Sequence, residues 1–174
     1  MKRKMTAAEQ QQIFDDWVTT HKGLLFKVVR AYAMDPHDRD DLFQEISIQL
    51  WHSVPNFRGD AKVSTWIYRV ALYAAIAWTR KEKKHHSGKQ SLAGLEHLLT
   101  ENTASTDSRL DWLYQQIGQL NEIDRSLTLL LLDGFSYKEM ASILGISESN
   151  VGVKINRIKK YLKNKSQENI YHGA

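Results

Sequence analysis

Only two prolines, Pro36 and Pro55, interrupt a chain of 174 residues, and between these breakers apolar residues return every three to four positions. That spacing lines apolar side chains along one face of a helix, whereas a half-buried strand needs strict alternation. Ile13, Trp17, Leu24, Leu25, Val28 and Tyr32 follow the helical period in residues 7–32, with Gly23 leaving one long helix or two open. Leu42, Ile46 and Leu50 stand at i, i+4 and i+8, and Leu110, Leu113, Ile117 and Leu120 repeat the pattern further on. No clear alternation and no internal repeat is visible. The expected fold class is therefore all-α, and an apolar content of 42% is enough for real cores.

Local signals place the helix ends. Asp35 can cap a helix whose first position is Pro36, and Val54-Pro55 should end it. Ser64 or Thr65 can cap the next helix, which runs to about residue 84. Residues 85–107 are dominated by Ser, Gly, Lys, Thr and Asn, with Leu92, Leu95, Leu98 and Leu99 able to form one weak turn. This composition reads as a flexible linker. It divides the chain into two small helical domains, residues 7–84 and 108–165. In the second, Asn121-Glu122-Ile123-Asp124 opens a helix that carries Leu127 to Leu132 and is stopped by Gly134.

Composition removes several function classes. Without cysteine there are no disulfides, no thiolate catalysis and no cysteine-ligated zinc. The basic start, Met1-Lys2-Arg3-Lys4, is followed by Glu9-Gln10-Gln11-Gln12 instead of an apolar signal core, so a cytoplasmic protein is expected. No apolar run is long enough to insert in a membrane. A net charge of +4 permits nucleic-acid binding, and its placement says more than its size.

That placement is informative between Ser136 and Lys163. Ser136 caps a short helix, Ala141 is small where two helices would cross, Gly145 suits a left-handed helix end, and Ser147 with Asn150 starts a second helix. Ile143, Leu144, Ile146, Val151, Ile155 and Ile158 supply a compact core. This is the layout of a helix-turn-helix, whose second helix enters the major groove with its early residues at base edges. The outward positions Ser149, Asn150, Val153, Lys154 and Arg157 would read DNA there. From Lys154 to Lys165 every charged residue is basic, as phosphate neutralisation requires. A solvated C-terminal helix is the plainer explanation of the lysines alone.

Both halves resemble sigma factors of the extracytoplasmic-function (ECF) type in the sigma-70 family. FSYKEMASILGISESNVGVKINRIKKYL looks like the family's region four; DLFQEISIQLW and FRGDAKVSTWIYRVALYAAIAWTRK look like region two. The resemblance implies binding to bacterial RNA polymerase core and to promoter DNA at minus-ten and minus-thirty-five elements, and an anti-sigma factor as a partner. Asp41, Gln44, Glu45 and Trp51 would dock on the polymerase clamp. Phe57, Arg58, Lys62, Ser64, Trp66, Arg69, Tyr73 and Arg80 would handle the minus-ten strand, since exposed bases stack on aromatic rings and basic residues track the backbone. Trp66, Tyr68, Tyr73 and Trp78 cannot all face DNA, so some of these rings belong to the core. Tyr73 and Ala77 depart from the family's usual residues, as does Gly152-Val153-Lys154-Ile155-Asn156.

Two other readings compete. A LuxR-type regulator would also carry INRIKKYL on a helix-turn-helix, but the first domain lacks an alternating strand-helix receiver pattern. A metal enzyme could use Asp35, His37, Asp38, Asp40 and Asp41 with His85 and His86, although adjacent helical residues point apart. No phosphate loop, nucleophile elbow or HExxH motif is present. The expectation is a non-enzyme with no cofactor and no metal.

Overall fold

The computed structural model describes residues 5–86 and 107–172, and most of the expected linker, with its four leucines, lies outside the described residues. Among the described residues there are eight α-helices, one 3₁₀ turn and no strand. The first module consists of α1 (Ala7–Thr20), α2 (Lys22–Tyr32), α3 (Pro36–Ser53), the 3₁₀ turn Val54–Asn56 and α4 (Val63–His86). The second consists of α5 (Ser108–Gln119), α6 (Glu122–Leu132), α7 (Tyr137–Leu144) and α8 (Glu148–His172).

The ends follow from short polar side chains. Thr6 and Glu9 form a reciprocal capping box at α1, a signal the sequence reading passed over. The question posed by Gly23 is resolved two residues earlier, where His21 leaves helical geometry (φ −109°, ψ 22°) and separates α1 from α2. Asp35 caps α3 by accepting the His37 N–H at 2.8 Å, with Pro36 at the first position. Neither Ser64 nor Thr65 caps α4. The helix begins at Val63, and the Lys62 carbonyl accepts the Trp66 N–H at 3.1 Å, so both residues lie inside the first turn. At the other end α8 runs on to His172, well past residue 163, helped by an i,i+3 pair between Lys165 and Glu168.

In the first module α2, α3 and α4 bury Leu25, Val28, Leu42, Ile46, Leu50, Ile67 and Leu72 completely, and α1 closes the cluster with Trp17. In the second, Ile117, Leu127, Leu130, Met140, Val151 and Ile155 are fully buried. The two modules are docked, which their reading as tethered units did not anticipate. Helix α2 packs on α5 and α6, and α4 packs on α7, so the buried apolar residues form one continuous cluster. Gly118 has a specific part in this. A Cβ there would lie 2.7 Å from the Met34 Sδ, so only glycine admits that side chain without a shift.

Polar groups fasten the same junction. The Tyr32 hydroxyl donates to the Glu122 carbonyl at 2.6 Å and shares a hydrogen bond with Ser126 Oγ at 2.5 Å. The Arg125 guanidinium covers the Tyr32 ring at 4.8 Å and donates to the Gly118 and Leu120 carbonyls. Lys83 pairs with Glu122 at 2.8 Å, holding that carboxyl below the usual range, and Arg30 pairs with Asp111. Burial pushes the Tyr32 hydroxyl up to about 12.

Candidate nucleic-acid interface

Helices α7 and α8 and the turn between them form the helix-turn-helix. Helix α7 starts with a capping box in which Glu139 accepts the Ser136 N–H at 2.8 Å, and this bond holds the Glu139 carboxyl below its ordinary range. The helix ends at Gly145, whose φ of +67° is the left-handed conformation that glycine adopts without strain. The Gly145 and Ile146 N–H groups both donate to the Ala141 carbonyl, which folds the chain back tightly. Ser147 Oγ then accepts the Asn150 N–H at 3.1 Å and caps α8.

Val151, Ile155 and Ile158 face inward on α8 and are buried. Ser149, Asn150, Val153 and Arg157 are exposed. Val153 is 49% exposed, which leaves its methyl groups free for apolar contact at a groove. Lys154 behaves differently. Its ammonium pairs with Asp124 of α6 at 3.0 Å and its side chain is only 27% exposed, so it sits on the flank of the reading face. Asn156 was missed. It is exposed, and the 149, 153, 156, 160 spacing places it on the stripe of Ser149, Val153 and Lys160.

In the first module, α3 and α4 enclose a groove of about 630 Å³. Trp66, Arg69 and Tyr73 line it from α4, with Glu45, Gln49 and His52 opposite. Tyr73 is 45% exposed and Arg69 lies 5.9 Å from its ring centre, so a basic group and a stackable ring are adjacent. The neighbouring rings also have partners within the fold. Phe57 packs edge-on against Trp17 at 5.4 Å and against Trp66 at 5.7 Å. The Trp66 indole donates to Ser53 Oγ at 3.1 Å. Tyr68 is fully buried. Arg58 and Arg80 are exposed, Arg80 within electrostatic reach of Glu122, while Lys62 and Ser64 face α7 across a second cavity of about 390 Å³.

The α3 residues expected to meet polymerase divide between two surfaces. Glu45 belongs to the groove with α4 and accepts from Gln49 at 2.9 Å. Gln44 and Trp51 line a small apolar cleft with Phe14 and Ile48 on the α1 side, and Asp41 is exposed. Ile48 is 44% exposed and was not singled out. Among the described residues no cluster of His, Asp and Glu is placed to hold a metal ion; Asp35 is occupied in capping α3. No helix among them is long and apolar enough to cross a membrane.

A docked pair of helical modules, the second presenting a helix-turn-helix, defines a sequence-reading DNA-binding protein. Known proteins sharpen that class. Residues 17–85 match the family model for sigma-70 region 2, and residues 110–162 match the model for sigma-70 region 4. The chain is 26% identical to the ECF RNA polymerase sigma factor SigW of Bacillus subtilis (strain 168) over 172 residues, covering 92% of each chain. It is 29% identical to the RNA polymerase sigma factor YlaC of the same organism over 128 residues, covering 71% of this chain and 74% of that one. Its fold is similar to that of the sigma factor RpoE solved with the anti-sigma factor NepR from Bartonella quintana. The TM-score is 0.69, with 16% identity and coverage of 88% of this chain and 96% of the other. The chain belongs to the sigma-70 family, among its ECF sigma factors.

Proposed function

We infer that this chain is a sigma subunit that binds RNA polymerase core and directs initiation at promoters carrying minus-ten and minus-thirty-five elements. The observation that carries the reading is the match of both region models, in order, on the two modules. A regulator that acts without polymerase would leave residues 17–85 without a role.

In this reading residues 7–84 bind core and help open the minus-ten region, residues 85–107 join the modules, and residues 108–165 read the minus-thirty-five duplex. Ser149, Asn150, Val153 and Arg157 are the proposed base-edge and phosphate contacts, supported by their exposure on one side of α8. Asn156 joins them, and Lys154 sets the pose of α8. Arg58, Lys62, Arg69, Tyr73 and Arg80 are the proposed strand-handling groups, with Ser64 beside them. Phe57 and Trp66 shape the groove from beneath. Asp41, Gln44 and Trp51, with Glu45 at the margin, are the proposed polymerase-facing residues.

The protein has no chemistry of its own; polymerase makes the RNA. It works in the cytoplasm. Binding of one module raises the local concentration of the other at its site, so two weak contacts act as one. An anti-sigma factor is the expected inhibitor, since the similar RpoE was solved with one.

The test is reconstitution. The purified chain should associate with bacterial core polymerase and give run-off transcripts from a defined start on promoter fragments selected with that holoenzyme. Core alone should give none. Shifting duplex DNA without ever associating with core would instead mark an independent regulator.

A further inference from the structure

We propose that Val153 is a base-reading residue selective for thymine, its methyl groups packing on the C5-methyl group of one thymine in the major groove of the minus-thirty-five duplex. The inference rests on the DNA-binding reading above and adds to it the base that this position accepts.

Successive residues of a helix turn by about 100°, so Ser149, Val153, Asn156 and Lys160 form one outward stripe, with Val151, Ile155 and Ile158 buried on the opposite side. Among the described side chains of α8, Val153 is the one large apolar group left exposed. The core does not use it, and its neighbours on the stripe are polar. Its place is nonetheless fixed from both sides along the chain. The Tyr137 ring of α7 lies beside Gly152, 3.8 Å from where a Cβ there would sit. Lys154, the next residue on, is paired with Asp124 of α6 at 3.0 Å. A β-branched side chain in a helix also keeps essentially one rotamer, so its methyl groups form a rigid apolar knob.

The chemistry of that knob decides what it can face. Valine neither donates nor accepts a hydrogen bond through its side chain. Every base edge in the major groove carries groups that do: N7 and O6 on guanine, N7 and the N6 amino group on adenine, the N4 amino group on cytosine, O4 on thymine. Pressed against them, valine displaces water and returns no partner, which costs free energy. Thymine alone also offers a methyl group there. Burying methyl against methyl is favourable, so thymine is accepted and the other three bases are disfavoured at this one position.

The test uses the full chain with core polymerase. A duplex is selected from a random-sequence library by the wild-type holoenzyme, and each thymine of its minus-thirty-five element, on either strand, is replaced in turn by deoxyuridine, which lacks only the C5-methyl group. Affinity is read by titration. At one position the replacement should weaken wild-type binding about fourfold, the worth of one buried methyl group. Val153→Ala should lose at least as much on the unmodified duplex and should be indifferent to deoxyuridine at that position, since the contact is already gone. Alanine suits an exposed helical site, so the variant keeps its fold, and its melting temperature checks this. A selected element without an A·T pair, or wild-type binding indifferent to every deoxyuridine, would overturn the proposal. So would a Val153→Ala chain that keeps the full deoxyuridine effect. Should the chain select duplex by itself and ignore core, the sigma reading falls, while the same deoxyuridine series on the chain alone still decides the role of Val153.

Discussion

Lys154 of the recognition helix is tied to Asp124 of α6 by an ion pair of 3.0 Å, with both side chains largely withdrawn from solvent. A lysine on the second helix of a helix-turn-helix is usually assigned to DNA. Here the charge is already compensated within the module, and the pair ties α8 to α6. Lys154→Ala should therefore lower thermal stability, by about 1 kcal/mol for a partly screened pair. A double-mutant cycle with Asp124→Ala, followed by thermal denaturation, should show a coupling between the two positions. Strict additivity would remove the strut.

Arg157 should behave in the opposite way. It is exposed on the reading side of α8, and among the described residues no hydrogen bond or ion pair engages it. Arg157→Ala should leave the melting temperature nearly unchanged, weaken promoter binding, and reduce the slope of log affinity against log salt by about 1. Titrations at several salt concentrations check this. An unchanged slope would mean that Arg157 touches no phosphate.

Gly145 is required by backbone conformation. At φ +67° an L side chain is strained whatever room surrounds it, and Gly145→Ala should destabilise the second module by about 1 kcal/mol. Chemical denaturation measures the loss. The same substitution at Gly23, where a Cβ would meet nothing and the backbone is helical, should be neutral or stabilising.

The junction between the modules should weaken in alkali. Burial raises the Tyr32 hydroxyl from an ordinary value near 10 to about 12, so the folded protein holds this proton more tightly than the unfolded chain does. The resulting stability is complete below pH 10 and is lost as pH rises through the folded value near 12. Urea denaturation across this range should show a falling free energy, with a shallower fall in Tyr32→Phe. The acid side has the reverse sign. Glu122 is held below the usual carboxylate range by Lys83, so its contribution is present above that range and lost as pH falls through the lowered value.

Local rules made much of this molecule legible from its sequence. Asp35, Asn121, Ser136 and Ser147 cap the helices they were expected to cap, because a short oxygen-bearing side chain just before a helix satisfies its free backbone N–H groups, whereas Ser64 and Thr65 fall inside the first turn of α4 and cannot. Gly145 ends α7 as glycine should. Facts that depend on residues far apart in the chain were out of reach. Periodicity places Tyr68 and Trp66 on a helix but cannot say that Asp133 and Ser53 await their polar atoms. The pairing of Lys154 with Asp124 is hidden for the same reason, since the two meet only after α6 and α8 have crossed. Gly118 gives no local hint that Met34 will press against it.

The most direct measurement is run-off transcription with purified bacterial core polymerase, the wild-type chain and Arg157→Ala, on a promoter fragment selected by the wild-type holoenzyme. The expected result is a transcript with one defined start that depends on the chain and falls at least several-fold with the variant. A chain that stays monomeric beside core at low salt, with no start-specific transcript from any fragment, would contradict the assignment.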